Sequence, residues 1–263
     1  MTRALLWILV IALPACAQEK HKLYSPDIET IEYRLGETII PISIRTYGRA
    51  NGTFFVHLHA NEQTAREIAL NYLEKNGGQI LLLENGAERN ISFIHNNKSY
   101  KFDPNRIYNT EGIIQTLKRL STIDEKAVRL INTFAETLLD KIPDSLLVVA
   151  LHNNTDKNYS ILDYHSGMLR DKAAAVHIAQ DRDIDNFIFT TDSAIYNHYK
   201  NAGVNAVLQK KFLPQNDGSL SVYFGNKNRS YINIEAEHGQ GNEQLEMLQL
   251  LFLHLERKKK NFH

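Results

Sequence analysis

The chain of 263 residues contains a single cysteine, Cys16, which lies close to the N-terminus. The remainder of the sequence can therefore form no internal disulfide bond, and it supplies no thiolate as a nucleophile or a metal ligand. Any metal ion in the folded part must be held by histidine, aspartate or glutamate.

An excess of charge of either sign is also lacking, because 30 lysines and arginines balance 30 aspartates and glutamates. No overall field draws such a protein to a polyanion, so a nucleic-acid partner is not expected. Internal repeats and low-complexity linkers are absent as well. With 43% hydrophobic residues, the chain can bury the core of one sizeable domain.

A long apolar run is found only near the beginning of the chain. Residues 4–13 are apolar, follow the basic Arg3 and precede a group of small residues. The run is too short to span a bilayer as a stable helix, and this order of segments is typical of an export signal. We therefore predict that residues 1–17 are a signal peptide.

Two cleavage sites fit this signal peptide. The Ala-Cys-Ala sequence at 15–17 fits release of a chain that starts at Gln18, whereas Leu-Pro-Ala-Cys resembles a bacterial lipobox and would make Cys16 a lipid anchor. The expected location is outside the cytoplasm, either periplasmic or secreted. Contact with a membrane is expected only through this lipid anchor.

The rest of the chain alternates between strand-like and helix-like segments, which is typical of a layered α/β fold. The predicted strands are residues 39–46, 53–59, 79–84, 146–152, 187–190, 206–209 and 231–235, with strand pairing also over 91–102. The predicted helices are residues 62–76, 110–141 with a break near 121, 192–202 and 243–259. We expect the first two strands to pair with each other as a hairpin.

Polar side chains with catalytic potential occur at or after the ends of several predicted strands. In open α/β sheets this edge is where ligands bind. The four motifs begin at His59 (His-Ala-Asn-Glu), Asp103 (Asp-Pro-Asn-Arg), His152 (His-Asn-Asn) and Glu235 (Glu-Ala-Glu). The chain thus predicts a polar site built from segments that are far apart in sequence.

The first motif suits a metal ion, because an imidazole and a carboxylate at this spacing can face one point. The pattern alone is weak. His57, on the same strand face, could be the ligand instead or a supporting residue, but a packed histidine satisfied by a neighbour is the favoured interpretation. The Asn-Arg pair suits a substrate carboxylate, since a guanidinium group binds both oxygens. The whole motif, Asp-Pro-Asn-Arg, is also compatible with an ordinary turn that begins at Asp-Pro.

Glu235 and Glu237 share one face of the last predicted strand. A buried strand seldom carries a glutamate unless its charge is paired or used. The sequence alone leaves the choice between these two carboxylates open.

Taken in order, the four motifs resemble the zinc carboxypeptidase superfamily, which also contains succinylglutamate desuccinylases and aspartoacylases. The resemblance extends over about residues 54–239. It implies a single α/β domain with a mixed central β-sheet and helices on both faces. Residues 18–52 would then be an N-terminal extension with the first strands, and residues 53–263 the zinc carboxypeptidase-like hydrolase domain.

The resemblance also implies roles for individual residues. One Zn²⁺ ion per chain would be held by three ligands, His59, Glu62 and His152. A substrate carboxylate would contact Asn105 and Arg106.

For catalysis, the resemblance implies Glu235 as the general base, with Glu237 as the alternative base, and Arg89 as the arginine that polarises the scissile carbonyl. Two departures from the family pattern are Pro104, where leucine is frequent, and Asn153, where an aromatic or hydroxyl residue is frequent.

The implied function is that of an exported zinc-dependent hydrolase that cleaves an amide bond next to a free carboxylate. Metallocarboxypeptidase or cell-wall peptide hydrolase activity fits a small peptide substrate. The alternative is an N-acyl amino acid deacylase of the aspartoacylase or succinylglutamate desuccinylase type. A non-catalytic exported binding protein is the third interpretation. The oligomeric state stays open.

Overall fold

The computed structural model describes residues 23–156, 158–213 and 216–260. The predicted signal peptide and Cys16 lie outside these described residues. Within the described ranges, none of the helices combines the length and the apolar character needed to cross a bilayer.

Eleven strands are found in the described chain, and nine of them form one mixed sheet. In chain order the strands are β1 (Pro26–Leu35), β2 (Thr38–Tyr47), β3 (Thr53–His57), β4 (Gly78–Leu83), β5 (Ile91–His95), β6 (Lys98–Phe102), β7 (Leu147–Asn154), β8 (Ala173–His177), β9 (Phe187–Thr190), β10 (Ala206–Gln209) and β11 (Tyr231–Glu237). The spatial order in the large sheet is β1-β2-β4-β3-β7-β11-β9-β10-β8, and β5 and β6 form a separate hairpin.

The four central strands β4, β3, β7 and β11 run parallel to one another. Their apolar residues are nearly continuous because both faces of the sheet are covered. The carboxyl ends of β3, β7 and β11 therefore meet at one edge of the sheet, where the candidate site lies.

Helices cover both faces of the sheet. They are α1 (Gln63–Asn76), α2 (Thr110–Leu120), α3 (Glu125–Asp140), α4 (Leu162–His165), α5 (Ser193–Asn201), α6 (Leu220–Asn226) and α7 (Gly241–Lys260). One apolar layer lies between the sheet and α2, α3 and α6, and a second lies between the sheet and α1, α5 and α7. The predicted fold class, an α/β domain with a mixed sheet between two helical layers, is confirmed.

The alternation of side chains along β7 determines where its polar end points. Val148 and Ala150 face the α2 and α3 layer, whereas Val149 and Leu151 face the α1 and α7 layer. Because side chains alternate between faces, His152 lies on the face of Val148 and Ala150, and Asn153 lies on the face of Val149 and Leu151. One strand thus supplies polar groups to both sides of the sheet edge.

The predicted hairpin between residues 39–46 and 53–59 is wrong. β2 pairs antiparallel with β4, and β4 lies between β2 and β3. The reason is the crossover through α1, which places β4 parallel to β3 on the side that β2 would otherwise occupy.

Other departures concern elements that the sequence pattern did not predict. β1 and β8 are partly exposed strands at the two ends of the sheet, and α6 is a short helix.

The predicted break in the helical segment is confirmed, since α2 ends at Leu120 and α3 begins at Glu125. The pairing predicted over residues 91–102 is present, but it lies outside the main sheet.

Candidate active site

His59 and Glu62 lie in the short turn between β3 and α1. The turn is closed by a hydrogen bond from the Glu62 backbone N–H to the His59 carbonyl oxygen, at 3.0 Å. Glu62 occupies the N-cap position of α1, yet its carboxylate makes no capping hydrogen bond. Its Oε1 lies instead 3.0 Å from His59 Nδ1.

His152, at the end of β7, completes a group of three. Its Nδ1 lies 2.8 Å from Glu62 Oε2 and 3.1 Å from His59 Nδ1. The exposed fractions are 1% for His59, 1% for Glu62 and 4% for His152. The structure therefore brings the three predicted metal ligands together, with their ligand atoms within 4.8 Å of one another.

The ring of His59 is oriented from behind by a buried carboxylate. His59 Nε2 lies 2.9 Å from Asp103 Oδ1, which also accepts a hydrogen bond from the Asn105 backbone N–H. Because a carboxylate only accepts, Nε2 donates, and Nδ1 points toward the centre, where loss of its proton would expose the lone pair. Metal-binding histidines typically have such a partner. The sequence pattern did not identify this role of Asp103.

The charges of this group depend on one another. Burial lowers the pKa of His59, but Glu62 and Asp103 outweigh this effect and raise that pKa to about 9. Burial raises the pKa of Glu62, but His59 and His152 hold it well below its ordinary value. His59 therefore carries a second proton between the ionised carboxylates of Glu62 and Asp103, and a metal ion bound at this centre would displace that proton.

His57 supports the turn and does not join the three converging groups. Burial lowers its pKa to about 4, so that the ring is neutral near pH 7. Its Nε2 lies 3.0 Å from the carbonyl oxygen of Glu62, to which it donates. His57 therefore fixes the backbone that carries Glu62.

Glu235 lies directly beside His152 because β7 and β11 are paired in parallel with these residues in register. It is buried, and its Oε1 accepts a hydrogen bond from Asn233 Nδ2 at 2.8 Å. Burial raises its pKa above the ordinary value for glutamate, despite the nearby His152. A carboxylate with a raised pKa is suited to accept a proton near neutral pH.

The second candidate base, Glu237, has different surroundings. Its carboxylate lies with those of Asp156 and Asp185, in a second group of potential metal ligands. Glu235 lines the cavity that contains His59, whereas Glu237 is not among the residues lining it. The structure thus separates the two carboxylates that the sequence left equivalent.

Arg89 reaches the centre from the loop between β4 and β5. Its side chain is 46% exposed, and its guanidinium group forms an ion pair with the Glu62 carboxylate. The predicted carbonyl-polarising arginine therefore lies at the mouth of the site.

Arg106 and Asn105 belong to a turn of 3₁₀ helix, Pro104–Arg106. Asn105 Oδ1 accepts a hydrogen bond from the Leu220 backbone N–H, and Arg106 Nη1 donates to the Asn105 carbonyl oxygen at 2.6 Å. Burial lowers the pKa of Arg106, but Asp217 and Asp103 raise it above its ordinary value. Arg106 is therefore a permanently charged group of the cavity wall.

All seven residues predicted for the metal, the substrate carboxylate, the preferred base and the carbonyl arginine line one cavity of about 420 Å³. They are His59, Glu62, Arg89, Asn105, Arg106, His152 and Glu235. Further polar lining residues, which the sequence analysis did not single out, are Tyr159, Tyr164, Lys172, Asp217 and Asn233.

A buried amide pair on the other side of the sheet edge holds these segments together. Asn153 Oδ1 accepts from the Ala65 backbone N–H at 2.8 Å and so caps α1 in place of Glu62. Gln244 Nε2 donates to the carbonyl oxygens of His152 and Ile234, at 2.9 and 3.2 Å. The only sequence signals for this pair are a polar residue directly after His152 and a glutamine on the buried face of α7.

No protein-family model matches the sequence, and no curated protein matches it. Several solved structures, however, are similar to this chain. An aspartoacylase family protein from Mesorhizobium loti MAFF303099 is 14% identical, with a TM-score of 0.44, over 88% of this chain and 71% of the other. A metallo-carboxypeptidase from Burkholderia cenocepacia is 11% identical, with a TM-score of 0.45, over 88% of this chain and 66% of the other.

Thrombin activatable fibrinolysis inhibitor is 10% identical, with a TM-score of 0.47, over 88% of this chain and 72% of the other. The carboxypeptidase and aspartoacylase names are those of the superfamily that the sequence motifs resemble. At these identities the likeness concerns the fold alone, and the chemistry of the site has to be judged from its own residues.

Proposed function

We propose that this chain is a zinc-dependent hydrolase that cleaves an amide bond next to a free carboxylate. The observation that carries the proposal is the convergence of His59 Nδ1, His152 Nδ1 and the Glu62 carboxylate at 2.8 to 3.1 Å from one another. Glu235 and Arg106 line the same cavity. The site thus combines a metal-binding group, a base and an anchor for an anion.

The three converging groups fit a catalytic zinc ion. Two imidazoles and one carboxylate are a ligand set typical of such sites, and a fourth position stays open for water or substrate. Asp103 supplies the outward hydrogen bond that fixes the ring of His59. When bound, zinc supplies a Lewis acid that polarises a carbonyl group and makes water more acidic, toward a pKa of about 7.

Glu235 is proposed to move the proton. Its carboxylate is buried beside His152 and is held in place by Asn233. From this position it would accept a proton from the attacking water and pass it to the nitrogen of the leaving amine. General acid–base catalysis of this kind typically contributes about 10²- to 10⁴-fold in rate.

Arg89 and Arg106 are proposed to stabilise negative charge at two different positions. Arg89 is paired with the Glu62 carboxylate at the mouth, where a developing oxyanion would form. Arg106 faces the cavity, and a guanidinium group binds both oxygens of a carboxylate. Because Asn105 Oδ1 already accepts from Leu220, its Nδ2 is the atom that would donate to the same substrate carboxylate.

The proposed substrates are small peptides or cell-wall fragments, since the predicted signal peptide would deliver the protein outside the cytoplasm. N-acyl amino acids are the alternative, because they also place a carboxylate next to the scissile amide. Export itself is tested by fractionation of cells that produce the full chain. Recovery of the protein only from the cytoplasm would contradict it.

The activity is tested with zinc-loaded protein, N-acetylated dipeptides and N-acetyl amino acids, by following the release of free amine. We expect release from at least one of these two substrate classes, its loss after chelation and its return when zinc is added. The class that is cleaved separates peptidase from deacylase. Absence of turnover on both classes by protein with a full zinc content would contradict the hydrolase proposal and favour a binding protein.

A further inference from the structure

Asn233 is a buried polar residue of the cavity whose hydrogen bonding is incomplete. It lies two residues before Glu235 on the same face of β11 and is 8% exposed. Its Nδ2 donates to Glu235 Oε1, which fixes the orientation of the amide because an ionised carboxylate can only accept. Asn233 Oδ1 then has no hydrogen-bond partner in the described part of the chain. Such unpaired buried acceptors are costly and uncommon.

The residues next to Asn233 add aromatic walls and a donor. Phe189 is its register partner on β9, and the ring of Tyr164 packs on Phe189 with a centroid distance of 4.9 Å. The hydroxyl groups of Tyr159 and Tyr164 lie 2.5 Å apart. Only one of the two hydroxyl groups donates in this hydrogen bond, so the proton of the other hydroxyl group is available to a ligand. Acceptor and donor therefore occur together in the part of the cavity that we name the Asn233 pocket (Tyr159, Tyr164, Phe189 and Asn233).

The charges near this pocket are balanced apart from the Arg106 guanidinium group and the Glu235 carboxylate, and the proposed function uses both. Lys172 Nζ lies 2.7 Å from Asp217 Oδ2. Burial raises the pKa of Asp217, but Arg106 and Lys172 outweigh it and bring the pKa to about 2. With Lys172 neutralised by Asp217, Arg106 provides the one positive charge of this wall in excess, and the proposed function uses it for the substrate carboxylate. Beyond these two groups, a second charge on the substrate would find no partner in this wall.

We propose that the Asn233 pocket selects a substrate residue with an uncharged carboxamide or hydroxyl side chain, whose donor pairs with Asn233 Oδ1. The proposal rests on the proposed hydrolase function and names the class of residue that follows the scissile amide. A carboxamide also offers a carbonyl oxygen to the unused tyrosine proton. An apolar side chain of the same size leaves Oδ1 unpaired, and sites built to hydrogen-bond a substrate reject analogues that lack the group.

The test compares acetyl-Gly-Asn with acetyl-Gly-Leu, two peptides of nearly equal size, on the zinc-loaded protein, with acetyl-Gly-Asp and acetyl-Gly-Lys as charged references. We expect kcat/KM for the asparagine peptide to exceed that for each of the other three by about tenfold or more. Asn233→Leu should bring the asparagine-to-leucine ratio to about one or below. Asn233→Thr, which keeps an acceptor oxygen, should retain part of the preference, and Asn132→Leu on the exposed face of α3 should leave it unchanged.

A preference for the leucine, aspartate or lysine peptide, or an unchanged ratio in folded Asn233→Leu protein, overturns the pocket proposal while the hydrolase proposal stands. Thermal unfolding shows which variants are folded, and Asn233→Val, which also removes the acceptor oxygen, replaces Asn233→Leu if the latter is not. If no peptide is cleaved, the hydrolase proposal fails separately. Calorimetric titration of the zinc-loaded protein with free asparagine and free leucine then decides: stronger binding of asparagine that the variant abolishes supports the pocket, and equal or absent binding overturns it.

Discussion

Two groups of side chains in the described residues bring ligand atoms within 4.8 Å of one another. The histidine centre consists of His59, Glu62 and His152, and the carboxylate group consists of Asp156, Asp185 and Glu237. All members of the first are buried, whereas the second includes an exposed residue, Asp156. Proximity alone therefore does not distinguish the two.

The difference lies in donor type. The histidine centre mixes nitrogen and oxygen donors, which zinc prefers. Asp103 holds the ring of His59, whereas His57 and Gln244 hold the backbone of Glu62 and His152. Three carboxylates repel one another, and acidic groups of this kind are common where no cation binds. The comparison teaches that a candidate catalytic centre is identified by the types of its ligands and not by their proximity alone, and each prediction below tests this distinction.

The largest difference in rate is expected between the two glutamates of β11. Glu235→Gln should lower kcat by about 10²- to 10⁴-fold, because the amide cannot accept the proton of the attacking water. Zinc content should stay the same, since Glu235 is not one of the three converging ligands. Steady-state kinetics beside metal analysis measures both.

Glu237→Gln is the matched control on the same strand face. We expect its kcat to stay within about threefold of the unchanged protein, because its carboxylate belongs to the other group. Equal losses in the two variants would remove the distinction between the glutamates, and a loss only in Glu237→Gln would assign the base to Glu237.

A smaller effect is expected when the orienting carboxylate is changed. Asp103→Asn should weaken zinc binding by about 10- to 100-fold, because the amide fixes the ring of His59 less firmly. Competition with a chromophoric chelator measures the dissociation constant. Asp156→Asn, in the carboxylate group, should leave it unchanged, and an equal weakening in both variants would contradict the assigned role of Asp103.

The pH dependence of zinc binding is a third consequence. Because the pKa of His59 in the metal-free centre is raised to about 9, zinc must displace a proton at any lower pH. The apparent affinity should therefore rise by about tenfold per pH unit between about pH 7 and 9 and become constant above it. Calorimetry in buffers of different ionisation enthalpy should show about one proton released per zinc at pH 7. Binding without proton release would contradict this assignment.

Local patterns predicted much of the fold. The strands β4, β9 and β10 lie close to their predicted positions, because short apolar runs between turn residues are a local signal. The pairing of β2 with β3 was wrong because alternation reveals which face is buried and not which strand is the neighbour. The edge strands β1 and β8 were missed since exposure weakens the apolar alternation on which the prediction depends.

The site shows the same limit. The order of the motifs led to His59, Glu62 and His152, which the structure brings together. The contacts of Asp103 and Gln244 were not predicted, because they join distant parts of the chain. Asp103 lies 44 positions from His59, and Gln244 lies 92 positions from His152. Ligand types can be recognised in sequence, whereas the groups that orient them appear only when distant segments meet.

The central claim is most directly tested by the zinc content of the purified chain, measured by inductively coupled plasma mass spectrometry beside three variants. We expect about one zinc ion per chain in the unchanged protein and in Asp156→Asn, and almost none in His59→Ala and His152→Ala. Absence of zinc from the unchanged protein after incubation with the metal, or zinc retained in both histidine variants, would contradict the claim that the histidine centre is the metal site.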